Sequence, residues 1–241
     1  MKKHGLFITG TDTGVGKTLV AGAIARWLAN RGVRCGVMKP VESGCMPGKT
    51  GLIPQDGRYL KQAARSKAPL DQITPYRFQH PLAPYAAMLE GETRTISAAH
   101  LQKVFGLLHD RHDFLIVEGA GGLLAPLGRH FNVADLIKLL DLPVLLVARS
   151  GLGTLNHTLL SLHHGKTLGL SFLGVMLNRS TGESAPSEKT NLKILDEQAG
   201  HPIWGPFPHI KAKGTSTHCI ETAALLLEEE TGLTDRIQKL L

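Results

Sequence analysis

The features that most constrain this chain are short runs in which every residue is apolar. Phe114-Leu115-Ile116-Val117 is one, and Val144-Leu145-Leu146-Val147 is another. A strand with one wet face alternates apolar and polar residues. A strand without that alternation is covered on both faces, as in a parallel sheet packed between helices. Helical patterns alternate with these runs along the chain, as βαβ units require. The reading is an α/β fold: a doubly wound, mainly parallel sheet of about seven strands with helices on both faces. Ligands of such sheets bind outside the carboxyl ends of the strands.

Strands are expected at 5–9, 33–38, 113–118, 143–148, 172–177 and 201–204. Helices are expected at 18–30, from near Asp56, and at 84–89, 97–109, 132–140, 154–168, 187–199 and 217–229. Residues 39–54 read as a loop rich in Gly and Pro. Residues 66–84 read as irregular and proline-rich, and so long a loop in a compact domain is usually functional. With 241 residues, 42% of them hydrophobic, the chain suits a single domain over 1–241. No apolar run reaches the roughly 18 residues of a membrane span. The N-terminal apolar stretch ends at Thr9-Gly10, short of the ~7–15 residues of a signal-peptide core. A cytoplasmic protein is expected. Cys35, Cys45 and Cys219 are far apart with no C-x-x-C pair, which suits reduced thiols. The net charge is +7, but Lys and Arg are scattered and aromatics are only 5%, so no nucleic-acid surface is expected. An anionic small-molecule substrate suits the charge as well as a solvated surface does.

The first expected strand runs into Gly10-Thr11-Asp12-Thr13-Gly14-Val15-Gly16-Lys17-Thr18. The phosphate-loop pattern G-x-x-x-x-G-K-[ST] asks for glycine where Thr11 stands, and every other position fits. Gly14 and Gly16 let the backbone wrap an anion, with Thr13 and Val15 beside them. Lys17 can reach the β- and γ-phosphates, and Thr18 can offer its hydroxyl to Mg²⁺. The helix that follows turns free amides and its positive end toward the phosphates. ATP and Mg²⁺ are therefore the expected ligands, and the fold is P-loop NTPase-like. Glu118 ends a buried strand before Gly119-Ala120-Gly121-Gly122, which suits a Mg²⁺ ligand in the crevice. Asp56 on its own reads as a helix N-cap. Lys39 is open between a surface lysine before a proline and a second cation for phosphoryl transfer. The histidines, His163-His164 included, lack metal-ligand spacing, and Cys45 has no histidine partner for nucleophilic catalysis.

Taken together these pieces resemble the dethiobiotin synthetases, the ATP-dependent cyclo-ligases of biotin synthesis, over roughly residues 4–230. The resemblance rests on the phosphate loop, Lys39-Pro-Val-Glu-Ser-Gly44, Asp56, Pro84-Tyr-Ala-Ala87 and Val117-Glu-Gly-Ala-Gly-Gly122. It continues through Pro143 to Val147, Leu152-Gly-Thr-Leu-Asn-His157 and Leu177-Asn178. It implies 7,8-diaminopelargonic acid, CO₂ and ATP as substrates. It also implies roles for Lys17 and Lys39 in stabilising charge, for Thr13 and Ser43 on carbamate or phosphate, and for Thr18, Asp56 and Glu118 on Mg²⁺. Asn178 would contact adenine, with Pro208, His209 and Ile210 closing over the base. The family is a homodimer, and the stretch containing Leu152, Gly153 and Asn156 would meet the substrate carboxylate of the other copy. Arg179 stands where an acidic residue is common, and Tyr85 where histidine is usual. The alternative is a cell-division or partition ATPase of the same broad branch. Those carry a loop lysine where this chain has Asp12.

Overall fold

The structure is a computed structural model that describes residues 4–180, 182, 186–210 and 217–241. β1 (Gly5–Gly10) leads through the glycine-rich loop into α1 (Lys17–Asn30), and β2 (Cys35–Met38) follows. The stretch 39–54, expected as loop, contains β3 (Val41–Glu42) and an antiparallel hairpin of β4 (Met46–Gly48) and β5 (Gly51–Ile53). After α2 (Gln55–Ala63), the proline-rich stretch makes one helical turn, α3 (Leu70–Ile73), and β6 (Tyr76–Arg77), which pairs in parallel with β3. Next come α4 (Pro84–Leu89), α5 (Ala98–His109), β7 (Phe114–Gly122), and the hairpin β8 (Pro126–Gly128) with β9 (Phe131–Asn132). The rest alternates: α6 (Val133–Leu140), β10 (Val144–Arg149), α7 (Thr154–Thr167), β11 (Phe172–Asn178), α8 (Glu188–Gln198), β12 (Ile203–Phe207), α9 (Thr217–Thr231) and α10 (Leu233–Gln238).

Among the described residues six strands form the main sheet, in the order β12-β11-β10-β1-β7-β2, and every pairing is parallel. About seven were expected; among the described residues the additional parallel pair, β3 with β6, stands apart from the sheet. The uninterrupted apolar runs are buried on both sides, as their composition requires. On β1, Leu6 and Ile8 pack into the layer with α1, α2, α9 and α10, while Phe7 points to α5 and α6. On β10, Leu145 and Val147 face the first layer, and Leu146 and Ala148 meet α7 and α8. Each such Leu, Ile, Val or Phe side chain contributes about 1.5–3 kcal/mol by leaving water. α1 is buried along most of its length between the sheet and α9. Two expectations change. Thr217–Thr231 is not the final helix, since α10 follows it, and the last strand begins at Ile203 rather than at residue 201. The stretch 180–187 lies partly outside the described residues.

The chain leaves β1 toward β2, on the far side of β7, and later returns to build β10, β11 and β12 on the other side. The direction of winding therefore reverses around β1. A doubly wound sheet places its ligand crevice there, at the carboxyl end.

Candidate active site

The glycine-rich loop stands at that reversal. Gly14 and Gly16 have φ of 75° and 98°, in the left-handed region that favours glycine. A Cβ on Gly16 would lie 2.1 Å from Asn178 Nδ2, so space as well as backbone demands glycine. Among the described residues no side chain caps α1, and its first amides remain available to an anion. Val15 is buried beneath the loop, while Thr13 and Gly14 are exposed on its crest. The Lys17 ammonium donates to the Asp12 carbonyl at 2.8 Å, folded back over the loop. Burial pushes it down to about 8, with Glu118 opposing that fall. Anionic phosphates beside it would raise it again and hold the ammonium charged.

β7 carries the next group. Ile8 pairs with Glu118 and Gly10 with Gly122, so four residues of β7 span two of β1. This irregularity passes through Gly119, Ala120 and Gly121, and Gly121 has φ of 73°. Glu118 is 0% exposed. Its Oε1 accepts from Thr18 Oγ1 at 2.7 Å and from Lys39 Nζ at 2.5 Å. Its Oε2 has no hydrogen-bond partner among the described residues. Burial pushes this carboxyl up, and Lys39 works against the rise.

Lys39, at the end of β2, is buried and reaches a second carboxylate, Asp56 Oδ2, at 2.9 Å. Burial alone would lower its pKa, but Glu118 and Asp56 together hold it above the ordinary lysine value. Lys39 is thus a fixed cation, not a surface lysine. Asp56 is the second residue of α2, and the N-cap is Pro54, which corrects the N-cap reading of Asp56. The cleft these groups line holds about 490 Å³, and Ser43, Ala120, Ala125 and residues 81–84 are among its other walls. Residues 81–84 belong to the proline-rich stretch singled out by its length.

Asn178 closes the other side of the loop. Its Nδ2 donates to the Val15 carbonyl at 2.9 Å, and its buried Oδ1 has no partner among the described residues. β12 places Phe207 in register with Asn178, so Pro208, His209 and Ile210 leave the sheet beside it. His209 is exposed, and Ile210 packs partly against the α1 layer. Leu152, Gly153 and Asn156 lie apart from the cleft, at the start of α7, with Leu152 90% exposed. Glu42 lines the cleft and is a functional candidate that motif reasoning passes over, although it lies inside the stretch from Lys39 to Gly44. Burial pushes its carboxyl up to about 6.

The oxygen set of Thr18, Asp56 and Glu118 suits a hard cation, and the unpartnered Glu118 Oε2 gives it an open donor. Among the described residues no group of three or more His, Cys, Asp or Glu could hold a metal, so substrate phosphates or water would complete such a site. Cys35, Cys45 and Cys219 are buried and none forms a disulfide, and burial pushes the Cys45 thiol up to about 12, which leaves it un-ionised. No described helix is long and apolar enough to cross a membrane.

A protein family described as "AAA domain" matches residues 4–215. The ATP-dependent dethiobiotin synthetase BioD of Bacillus licheniformis is 41% identical over 219 residues, 89% of this chain and 90% of that protein. The protein of the same name from Aquifex aeolicus is 43% identical, over 81% of this chain and 84% of its own length. That from Anaeromyxobacter sp. is 47% identical, over 78% and 82%. Among solved structures, a ParA family ATPase from Chlorobium tepidum superposes with a TM-score of 0.52 at 14% identity, over 99% of this chain and 97% of that one. The cell division ATPase MinD of Pyrococcus furiosus gives 0.53 at 16% identity, over 95% and 99%. At such identities these two likenesses establish the fold alone.

Proposed function

The chain belongs to the AAA domain family and, within it, to the ATP-dependent dethiobiotin synthetases, and from that premise we propose how its cleft phosphorylates a carbamate and closes a cyclic urea. The substrate is 7,8-diaminopelargonic acid, carrying CO₂ as a carbamate on one amine. A carbamate oxygen attacks the γ-phosphorus of ATP, the bond to the β-phosphate oxygen breaks, and ADP leaves. The second amine then attacks the carbon of the carbamic-phosphoric anhydride. Phosphate departs, the amine gives up its proton, and the ureido ring of dethiobiotin closes.

One observation carries this reading: the Lys39 ammonium is held between Glu118 and Asp56, in the same cleft that Lys17 lines. Binding ATP needs the loop and its lysine. A second buried cation, fixed by two carboxylates, suits charge that develops between a transferred phosphoryl group and an anionic acceptor. Thr13 and Ser43 face the same cleft and serve carbamate or phosphate. Thr18, Asp56 and Glu118 would hold Mg²⁺, which supplies charge neutralisation along the phosphates. Asn178 offers its unpartnered Oδ1 to the adenine amino group, with Pro208, His209 and Ile210 at the base. The chain pairs with a second copy, and Leu152, Gly153 and Asn156 serve the carboxylate of the substrate bound by that copy. The exposure of Leu152 supports that placement.

The test is a complete reaction with ATP, Mg²⁺, bicarbonate and the diamino acid, in which ADP and the cyclic urea are followed together. Equal yields of the two are expected. ADP release that depends on the diamino acid without any cyclic urea would overturn the assignment.

A further inference from the structure

α2 begins without a cap of its own. Its N-cap residue is Pro54, whose side chain has no acceptor, and the first-turn amides of a helix need one. The acceptor comes from another element. Glu42, on β3, takes the amide of Asp56 on Oε1 at 3.0 Å and the amide of Gly57 on Oε2 at 3.0 Å. Both carboxylate oxygens are used, and Glu42 is 5% exposed. A glutamine could accept only one of these bonds and would turn its own N–H₂ toward the other amide. The position of Glu42 is fixed in turn: β3 pairs with β6, and the Glu42 carbonyl accepts the Phe78 amide at 2.8 Å.

The amide that Glu42 holds belongs to Asp56, whose carboxylate reaches Lys39 at 2.9 Å. Lys39 continues to Glu118, and Glu118 to Thr18. We propose that Glu42 is a positioning residue: it caps α2 from a neighbouring strand and thereby sets where Asp56 stands, and through Asp56 the Mg²⁺-nucleotide geometry of the cleft. This rests on the nucleotide reading above and adds a specific role for Glu42. A cap serving stability alone would act on the whole fold. A cap serving Asp56 acts on the metal-nucleotide step and loses its effect when the Asp56 carboxylate is already gone.

The experiment is a double-mutant cycle in the full chain with Glu42→Gln, Asp56→Asn and the pair. Calorimetry reads ATP binding with Mg²⁺ and with chelator, and steady-state rates read the Mg²⁺ concentration at half-maximal turnover. Outer groups that orient a metal ligand typically change affinity by ~10–100-fold, so Glu42→Gln should weaken ATP binding in the presence of Mg²⁺, and raise the Mg²⁺ concentration at half-maximal turnover, at least about tenfold. ATP binding in chelator should change by less than about twofold, and in the Asp56→Asn background Glu42→Gln should add less than about twofold. Equal effects in both backgrounds, or an equal loss of ATP binding without Mg²⁺, would overturn the proposal. If Glu42→Gln does not fold, Glu42→Asp is carried through the same cycle, where the same outcomes support or overturn the role of Glu42. The binding measurements need no particular product, so a failed synthetase assay and a failed role for Glu42 are told apart.

Discussion

Lys39 touches Glu118 and Asp56 at once, so removing it leaves the fully buried Glu118 carboxylate without its cation and facing the half-exposed carboxylate of Asp56. Lys39→Ala should lower turnover at least ~100-fold, the scale seen when one preorganised charge is taken from a transition state. ATP should still bind, because the loop, α1 and Lys17 remain. Rates measured beside nucleotide calorimetry check this, and unchanged turnover would remove Lys39 from the reacting centre. Gly16 tests the loop itself. An alanine there would hold φ near 98° and drive its methyl into Asn178. Strain of about 1–3 kcal/mol is expected at such a position, and ATP affinity in Gly16→Ala should fall roughly tenfold or more. Wild-type affinity in that variant would mean the loop tolerates a shifted Asn178. Lys17, Thr18 and Glu118 were readable in the sequence because each sits at a fixed offset from a glycine run or the end of an apolar strand. Lys39 and Asp56 were not readable from pattern alone, since their meaning lies in a meeting of β2 with α2. Glu42 was harder still: it caps a helix 14 residues away, and no local periodicity records that.

At the scale of elements, the contact between α1 and α9 has an electrostatic clasp. Arg26 on α1 is almost wholly buried, and its guanidinium meets Glu221 on α9 at 3.3 Å and the Gln62 carbonyl on α2 at 2.7 Å. Glu221 also takes hydrogen bonds from Asn30 and Arg65. The Asn30 hydrogen bond, followed by Arg26 and Arg65, holds the Glu221 carboxyl below its ordinary value. A carboxylate whose folded pKa is depressed adds stability above its unfolded value of about 4.3 and loses it as pH falls through the folded value. Glu221 is a third exposed, which keeps the effect small, about 0.5–1 kcal/mol. Glu221→Gln should therefore lower the melting temperature at pH 7 by about 1–4 °C. That gap should close as the pH drops below about 4.3. A gap that persists in strong acid would assign the effect to packing instead of charge. The elements themselves were largely legible, because apolar runs and caps leave local marks. Asn132 and Asp135 form a capping box at α6, and Ser97 caps α5, both where the expected helices begin. The short strands β3 and β6 were not legible. Two residues carry no periodicity, and their pairing depends on where α2 returns the chain.

For the molecule as a whole, the fold brings five separated segments to one cleft: the loop after β1, the end of β2 with β3, the start of α2, residues 81–84 and the tip of β7. The sheet explains the nucleotide half of the site but leaves the start of α7 facing outward. Leu152 is 90% exposed there and Leu160 60%, and Asn156, Leu160 and His163 recur at helical spacing on the outer face of α7. A leucine that exposed at a candidate substrate segment has a physical reason if a second copy covers it. Leu152→Asp places a charge where that contact would be, without touching the phosphate loop. The wild-type chain should sediment at twice the mass of one chain, and the variant should shift toward half of that. The Michaelis constant for the diamino acid should rise about tenfold or more, the size of effect that loss of one central contact produces. ATP binding should stay unchanged, because Asn178 and the loop belong to the same chain. A variant that remains paired and binds the diamino acid normally would remove Leu152 from the substrate side of the reaction. A variant that separates yet keeps its affinity would show that pairing serves stability, and each cleft would then have to receive the carboxylate from within its own chain.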